Sequence, residues 1–302
     1  MAVDSLATRT VATSDDTSRT RPLRAVGRRR RRTTWVWNTI AVVLAIVLFF
    51  PVYWMIVTAF RPASQILTFH PNLIPLHATF SNFDSAIHAP NFLDDLRNSL
   101  IITGVTVVGG IFVGFLGALA LARFVFAGRR AVILILLGVQ MVPAVAIIIP
   151  IYLQLQTWHQ TNQLSGVILS YIVLLLPFTT WMLRGFIANV PRELDEAALV
   201  DGCSRWQTFT KILLPLTLPG LVAAAIYGFI QSWNEFFLIN ILNNSPDKQN
   251  LMVWLVSNQT AHGTFWGPLM AGATLSSVPV VIFFLIIQKN VTMGLTAGAV
   301  KG

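Results

Sequence analysis

The chain has 302 residues, 55% of them hydrophobic and only 11% charged, with a mean hydropathy of +0.67. A soluble domain carries roughly 25% charged residues, so the composition excludes a water-facing globular protein and points to a polytopic helical membrane protein. The net charge of +9 would fit a nucleic-acid partner in a soluble chain, but nine of the 21 Lys and Arg lie in the first 32 residues, where they read as a membrane-orientation signal.

Residues 1–33 are rich in Ser, Thr, Asp and Arg, cannot bury a core, and are expected to form a disordered basic cytoplasmic tail. Its last part, Arg28 to Arg32, is an unbroken basic run suited to an anionic lipid leaflet. The first apolar run starts near Val36, too late and too long for a signal peptide. It is kept as a span. A transmembrane domain is then expected over 34–302, with six spans near 36–60, 99–122, 132–155, 165–183, 213–241 and 271–288.

No charge interrupts Val36 to Phe60, enough for a crossing of about 20 residues, and Trp35, Trp37, Tyr53 and Trp54 stand near its ends as interfacial aromatics do. Residues 61–97, with Pro62, Pro71, Pro75 and Pro90, are too broken for a span and are expected to carry short helices. The second span holds Gly110 and Gly114 at GxxxG spacing, a signal for close helix packing in lipid. Then 53 residues, Ala131 to Leu183, pass without Asp, Glu, Lys or Arg, far too long for one crossing at about 1.5 Å per residue. The polar patch Gln156 to Gln163 divides them into two spans. Glu235 is the one acid inside any predicted span, and 243–270 form a second long connection, with Trp254, Phe265 and Trp266 expected on its exposed side.

Six spans put both termini on one side. With the N-terminus inside, 18 Lys and Arg fall in cytoplasmic segments against three outside, Arg61, Arg97 and Lys248, which the positive-inside rule strongly favours. The polar segment 191–212 is therefore expected in the cytoplasm. Pro191 opens it, acids follow in the first turn, Gly202 can supply the conformation that ends a helix, and Ser204 can cap a second one.

Within this segment Glu196-Ala197-Ala198, then Asp201-Gly202, then Ile212, Leu214 and Pro215 resemble the EAA loop of ABC importer permeases. Pro177 to Arg184 and Trp233-Asn234-Glu235-Phe236 are similar to the carbohydrate-uptake branch, and Gly294 to Gly302 to the tail of maltose-type permeases of the MalG kind. The resemblance covers roughly 36–302 and implies the architecture of an ABC type I importer permease. It implies an ATP-driven, binding-protein-dependent sugar importer, a disaccharide or oligosaccharide being its cargo, in the bacterial plasma membrane. The partners it implies are a homologous MalF-like permease, two ATP-binding subunits, an extracytoplasmic sugar-binding protein and membrane lipid, with no nucleic acid. Glu196, Ala197, Ala198, Asp201, Gly202 and Arg205 would couple the chain to the ATPase, and the C-terminal tail would lie against the ATPase dimer.

No GxxxxGK[ST] phosphate loop occurs, so ATP and Mg belong on the partner ATPase. No cofactor is expected on this chain, and it is not expected to be an enzyme. Cys203 is the single cysteine, and the five histidines lie in the polar connections, so no metal site is expected. Polar side chains inside spans tend to face the bundle interior, which makes Gln140, Thr180, Gln231, Trp233, Asn234, Glu235 and Ser276 the candidate substrate-pathway residues, with Gln154, Tyr171, Thr179, Tyr227 and Ser277 beside them. Prolines 143, 150, 177, 219 and 279 are expected to kink the walls of a cavity. A self-sufficient secondary transporter or channel is the alternative reading. It needs a buried ion-coupling carboxylate or an internal repeat; only Glu235 is available, and no repeat relates the two halves.

Overall fold

The computed structural model describes residues 24–299, apart from 70, 71, 76, 261 and 262. The expectation of a disordered tail falls outside these residues up to position 23; from Arg24 the backbone is already helical. The chain divides into two units, residues 1–53 and 54–302. The first holds most of helix α1 (Arg24–Ala59), in which Thr34–Ala59 is long and apolar enough to cross a membrane. Every residue from Thr34 to Tyr53 is exposed, so this helix presents apolar side chains all round, as a membrane span does.

In the second unit, α2 (Ala63–Ile66) and α3 (Ser81–Ile87) occupy the first predicted connection, as short helices between its prolines. Arg61 is buried, lies over the Trp54 ring at 4.5 Å, and donates to the Asn72 carbonyl. The Asn82 amide donates to the carbonyls of Ala59 (2.9 Å) and Arg61 (2.6 Å). This connection is therefore folded onto the end of α1 by polar contacts.

Helix α4 (Phe92–Arg123) starts at Phe92 where a start at 99 was expected. Its 32 residues reach about 48 Å at 1.5 Å per residue, well past a hydrocarbon core of about 30 Å. The extra turns are polar: Asp94 and Asp95 sit in the first turn, where acids suit the helix N-terminus. The main packing partner of α4 is α7 (Leu164–Ala188). A Cβ on Gly110 would stand 2.7 Å from Leu175 Cδ2, and one on Gly114 would stand 2.9 Å from Thr179 Cγ2. The glycine spacing read from the sequence thus marks the groove that α7 fills.

The predicted span 132–155 is not one helix. It is α5 (Arg129–Val139) and α6 (Ala144–Thr157), separated around Gln140–Pro143. Proline disfavours the helical conformation of the residue before it, and Pro143 holds an extended ψ of 128°. After α7 come α8 (Arg192–Val200), α9 (Arg205–Thr208), a π-helical turn over Phe209–Leu213, α10 (Leu214–Leu216) and α11 (Leu218–Trp233). The stretches Arg205–Leu216 and Leu218–Trp233 meet at 64°. Two prolines account for the break, because neither Pro215 nor Pro219 has an N–H for the carbonyl four residues earlier. Between the two prolines the Thr217 hydroxyl donates to the carbonyls of Leu213 (2.9 Å) and Leu214 (3.1 Å). The predicted span 213–241 ends early as well: α11 stops at Trp233, and α12 (Phe237–Leu242) is separate.

The second long connection is more ordered than its polarity suggests. It contains α13 (Leu251–Ser257) and an antiparallel hairpin, β1 (Gln259–Thr260) with β2 (Gly263–Thr264), paired Gln259 to Thr264. Trp254, expected on an exposed face, is 6% exposed and packs on Phe92 at 4.8 Å. Its position follows from side-chain bonds across the chain. Asn98 donates to the carbonyls of Asp247 and Gln249, the Leu251 N–H donates to the Ser99 hydroxyl, and Asn250 donates to the Glu235 carbonyl. Phe265 does remain exposed. The last helix, α14 (Trp266–Ala299), carries the predicted sixth span and continues through most of the predicted tail.

Four helices are thus long and apolar enough to cross a membrane among the described residues: the stretches Thr34–Ala59, Phe92–Arg123, Leu164–Ala188 and Trp266–Lys289. The bent pair 205–233 makes a fifth if counted as one crossing.

Candidate functional site

Two places on the second unit gather the functional candidates. The first is built on α8. Pro191 stands before it with φ −57°, already the helical value, and Glu193 and Asp195 follow in the first turn. The helix closes on bonds from the N–H groups of Asp201, Gly202 and Cys203 to the carbonyls of Ala197 (2.9 Å), Leu199 (3.1 Å) and Ala198 (2.9 Å). Gly202 carries φ +84°, the left-handed conformation that ends a helix without a Cβ clash. Ser204 then caps α9 reciprocally with Gln207, each side chain bonding the other's backbone N–H, at 3.2 and 2.8 Å. The second half of the segment therefore starts on a side-chain cap of its own.

Arg123, the last residue of α4, fixes where α8 begins. Its Nε lies 3.1 Å from Asp195 Oδ2, and its guanidinium donates to the Val190 carbonyl at 3.0 Å. Arg192 reaches back to the carbonyls of Ala122 and Arg123 (3.3 and 3.4 Å). A groove of about 320 Å³ lies here, lined among others by Arg123, Arg192, Asp195, Glu196, Arg205 and Phe209. Glu196, Ala197, Asp201, Gly202 and Arg205 are exposed, and the three charged ones have no ion-pair partner among the described residues. Ala198 differs: at 4% exposure it faces into the protein, so its small size serves packing within the chain and not an outer contact. Val200 (88% exposed) and Trp206 (71%) stand out on this polar segment. Their apolar type amid charge was the signal available for them.

The second place is a cavity of about 650 Å³ between the α5–α6 break, α7, and the ends of α11 and α12. Gln140, Gln231 and Glu235, and beside them Tyr171 and Tyr227, line it together with apolar side chains. Glu235 sits in the gap between α11 and α12 with donors to both oxygens. Oε1 accepts from the Leu238 N–H (2.8 Å), and Oε2 accepts from the Tyr171 hydroxyl (2.5 Å) and the Ile239 N–H (3.3 Å). The one acid of the predicted spans thus caps α12 and ties it to α7. Phe178, adjacent to Pro177, also lines the cavity and packs on Tyr227 with ring centroids 4.0 Å apart. It was not among the candidates, although an aromatic next to an intrahelical proline was a usable sign.

The other four candidates are not among the cavity's lining residues. Thr180 is buried on α7 against α4, its Cγ2 3.3 Å from where a Gly117 Cβ would be. Trp233 is buried and stacks on Phe229 at 5.5 Å. Asn234 turns back to the Ile230 carbonyl at 2.9 Å, and Ser276 is buried and donates to the Ala273 carbonyl within α14. Thr180 and Trp233 are thus spent on packing, and Asn234 and Ser276 on hydrogen bonds within their own stretch of chain. Residue type inside a span did not separate these from cavity residues; direction around the helix did.

Residues 107–296 match the model of the binding-protein-dependent transport system inner membrane components. The chain belongs to that family. A curated relative, the diacetylchitobiose uptake system permease protein DasC of Streptomyces coelicolor, is 44% identical over 268 residues, covering 88% of this chain and 97% of the relative. The trehalose/maltose transport system permease protein MalG of Thermococcus litoralis is 32% identical over 268 residues, 87% of this chain and 95% of the relative. Among solved structures, a chain of a bacterial ABC transporter involved in the import of the acidic polysaccharide alginate superposes with a TM-score of 0.74 at 21% identity, covering 86% of this chain and 97% of that one. At that identity the likeness speaks for the fold. The protein is a multi-pass membrane permease component, not an enzyme, and the resemblance read from Glu196 to Pro215 is upheld.

The ion pair of Arg123 with Asp195 gives the permease a checkable property. Arg123 is 10% exposed and Asp195 25%, so the pair is partly shielded from water and removing one partner leaves a half-buried charge unpaired, which costs more than breaking a solvated pair. In Arg123→Gln, hydrogen exchange at the α8 amides is expected to rise about fivefold, the effect of roughly 1 kcal/mol of local opening. Exchange in α7 serves as the internal reference.

Proposed function

We propose that this chain is one transmembrane subunit of an ATP-driven, binding-protein-dependent sugar importer in a bacterial plasma membrane. Its cargo class is a disaccharide or short oligosaccharide. The importer then consists of this chain, a homologous MalF-like permease, two ATP-binding subunits that carry ATP and Mg, and an extracytoplasmic sugar-binding protein. Six crossings account for the chain: the four continuous spans, the bent pair 205–233, and α5 with α6 as a broken span over 129–157. Both termini are cytoplasmic in this reading, which the distribution of Lys and Arg supports.

The observation that carries the proposal is the form of segment 191–212. It is a short helix with exposed Glu196, Ala197, Asp201 and Gly202, closed by a left-handed glycine, capped into a second turn, and clamped to α4 through Arg123. In this reading α8 is the coupling helix: its exposed face docks on the ATPase, and closure of the ATPase dimer moves α8 as a lever. Motion passes to α4 through Arg123 and Arg192, and to α11 through the bend at Thr217. The cavity beside Glu235 then lies on the sugar path.

The test is purification and reconstitution. A tagged chain should bring down a second permease and an ATPase. With the binding protein encoded alongside, proteoliposomes should take up diacetylchitobiose, trehalose or maltose only when ATP is present. A chain that purifies alone and moves sugar on an ion gradient would replace this reading with that of a secondary transporter.

A further inference from the structure

Resting on the reading that the cavity lies on the sugar path, its lining also bears on which sugars can enter. We propose that it is a saccharide subsite selective for neutral rings over uronic acids. Phe178 and Tyr227 form the stacking platform, Gln140 and Gln231 the hydrogen-bonding arms, and Glu235 rejects a carboxylate.

At about 650 Å³ the cavity is of ordinary ligand-site size, roughly 300–1,000 Å³. Its walls are mostly apolar, with Val139, Ile148, Leu174 and Pro177 among them. The C–H faces of a pyranose need such a surface, and the paired rings of Phe178 and Tyr227 supply it at 4.0 Å and a tilt of 36°. The hydroxyls of a sugar both donate and accept. Glutamine amides match this, since each offers an acceptor oxygen and two donors. Gln140 and Gln231 are both exposed and both line the cavity.

Charge is the discriminating feature. Among the described residues no Lys, Arg or His lines the cavity, while Glu235 does. Its two oxygens lie in contact with the Tyr171 hydroxyl and the N–H groups of Leu238 and Ile239. Those three bonds also hold it in place, so it cannot swing aside for an incoming anion. Between apolar walls the repulsion of a second carboxylate is screened far less than in water. The alginate importer, with the same fold, handles an acidic polysaccharide, so the fold itself does not choose the charge of the cargo. The lining does.

The experiment uses the whole complex in detergent, without binding protein, so that selectivity of the binding protein does not enter. The probe is a diazirine derivative of maltose, photolysed and mapped by mass spectrometry. The competitors are maltose and maltose oxidised to a uronate at C6 of its non-reducing ring. Label is expected on the peptides of α6, α7 and α11 that line the cavity, with the uronate competing at least about tenfold less well than maltose. In Gln231→Arg, at an exposed position beside Tyr227, maltose itself should bind less well but the gap should close to about threefold or less. Glu235→Gln gives an independent second variant and should narrow the gap in the same direction. Label elsewhere, no label at all, equal competition by the two sugars in the wild type, or an unchanged gap in both variants would each overturn the subsite. If the reconstituted complex still takes up maltose or another neutral sugar with ATP, the importer reading survives that failure; if no saccharide is taken up, the reading itself fails.

Discussion

Gly202→Asp is expected to cut ATP-driven sugar uptake to about a tenth of wild type or less, while the complex still inserts and assembles. Two facts separate the effects. Gly202 has φ +84° and nothing within 4 Å of where a Cβ would be, so the cost inside the chain is only the left-handed strain, about 1–2 kcal/mol for an ordinary residue and less for Asp. The new carboxylate instead projects from the exposed turn at the end of α8, beside Asp201, into the proposed contact with the ATPase. A loss of about 1.4 kcal/mol there suffices for a tenfold effect. Glu196→Lys, on the same exposed face, should act alike by reversing charge. Co-purification of the ATPase, thermal stability of the complex and uptake are measured together. Normal uptake by both variants would remove α8 from the coupling role.

For Gly114→Val the order of effects is reversed: assembly fails first. A Cβ at this position already stands 2.9 Å from Thr179 Cγ2 and 3.6 Å from the Thr180 backbone nitrogen. The branched side chain forces α4 and α7 apart, and overpacking of this kind costs about 1–3 kcal/mol. Lipid offers no compensating hydrophobic drive to hold two apolar helices together. The yield of folded complex in mild detergent should fall several-fold, and its melting temperature should drop by several degrees. Gly104→Val is the control, since that position has nothing within 4 Å of a Cβ. Equal behaviour of the two variants would show that α4 does not depend on this approach.

Some elements were legible because their cause is local. A run without charge longer than 20 residues has one compatible solvent, so α1, α4, α7 and α14 were found, with ends shifted where polar turns extend past the membrane. Segment 191–212 was legible down to its caps, because a proline start, a glycine stop and a serine cap act through neighbours in the chain, while the answering bond from Gln207 came only with the structure. The breaks were harder. Pro143, Pro215 and Pro219 were visible, yet whether a proline kinks a span or divides it depends on how the helices on either side of it pack.

By itself, then, the sequence determined the membrane class, the family, the close approach of α4 at Gly110 and Gly114, and the outline of segment 191–212. Each of these is written in composition or in spacing along one helix. The tertiary structure decided what each polar side chain of the spans is for. Trp233, Trp254, Thr180 and Ser276 went into packing, while Gln140, Gln231 and Glu235 came together from the α5–α6 break, α11 and the α11–α12 gap. The same held on α8, where Ala197 stayed exposed and its neighbour Ala198 turned inward. Side chains that meet across a cavity belong to helices far apart in the chain, and which way each faces is set by how those helices pack, which no local pattern records.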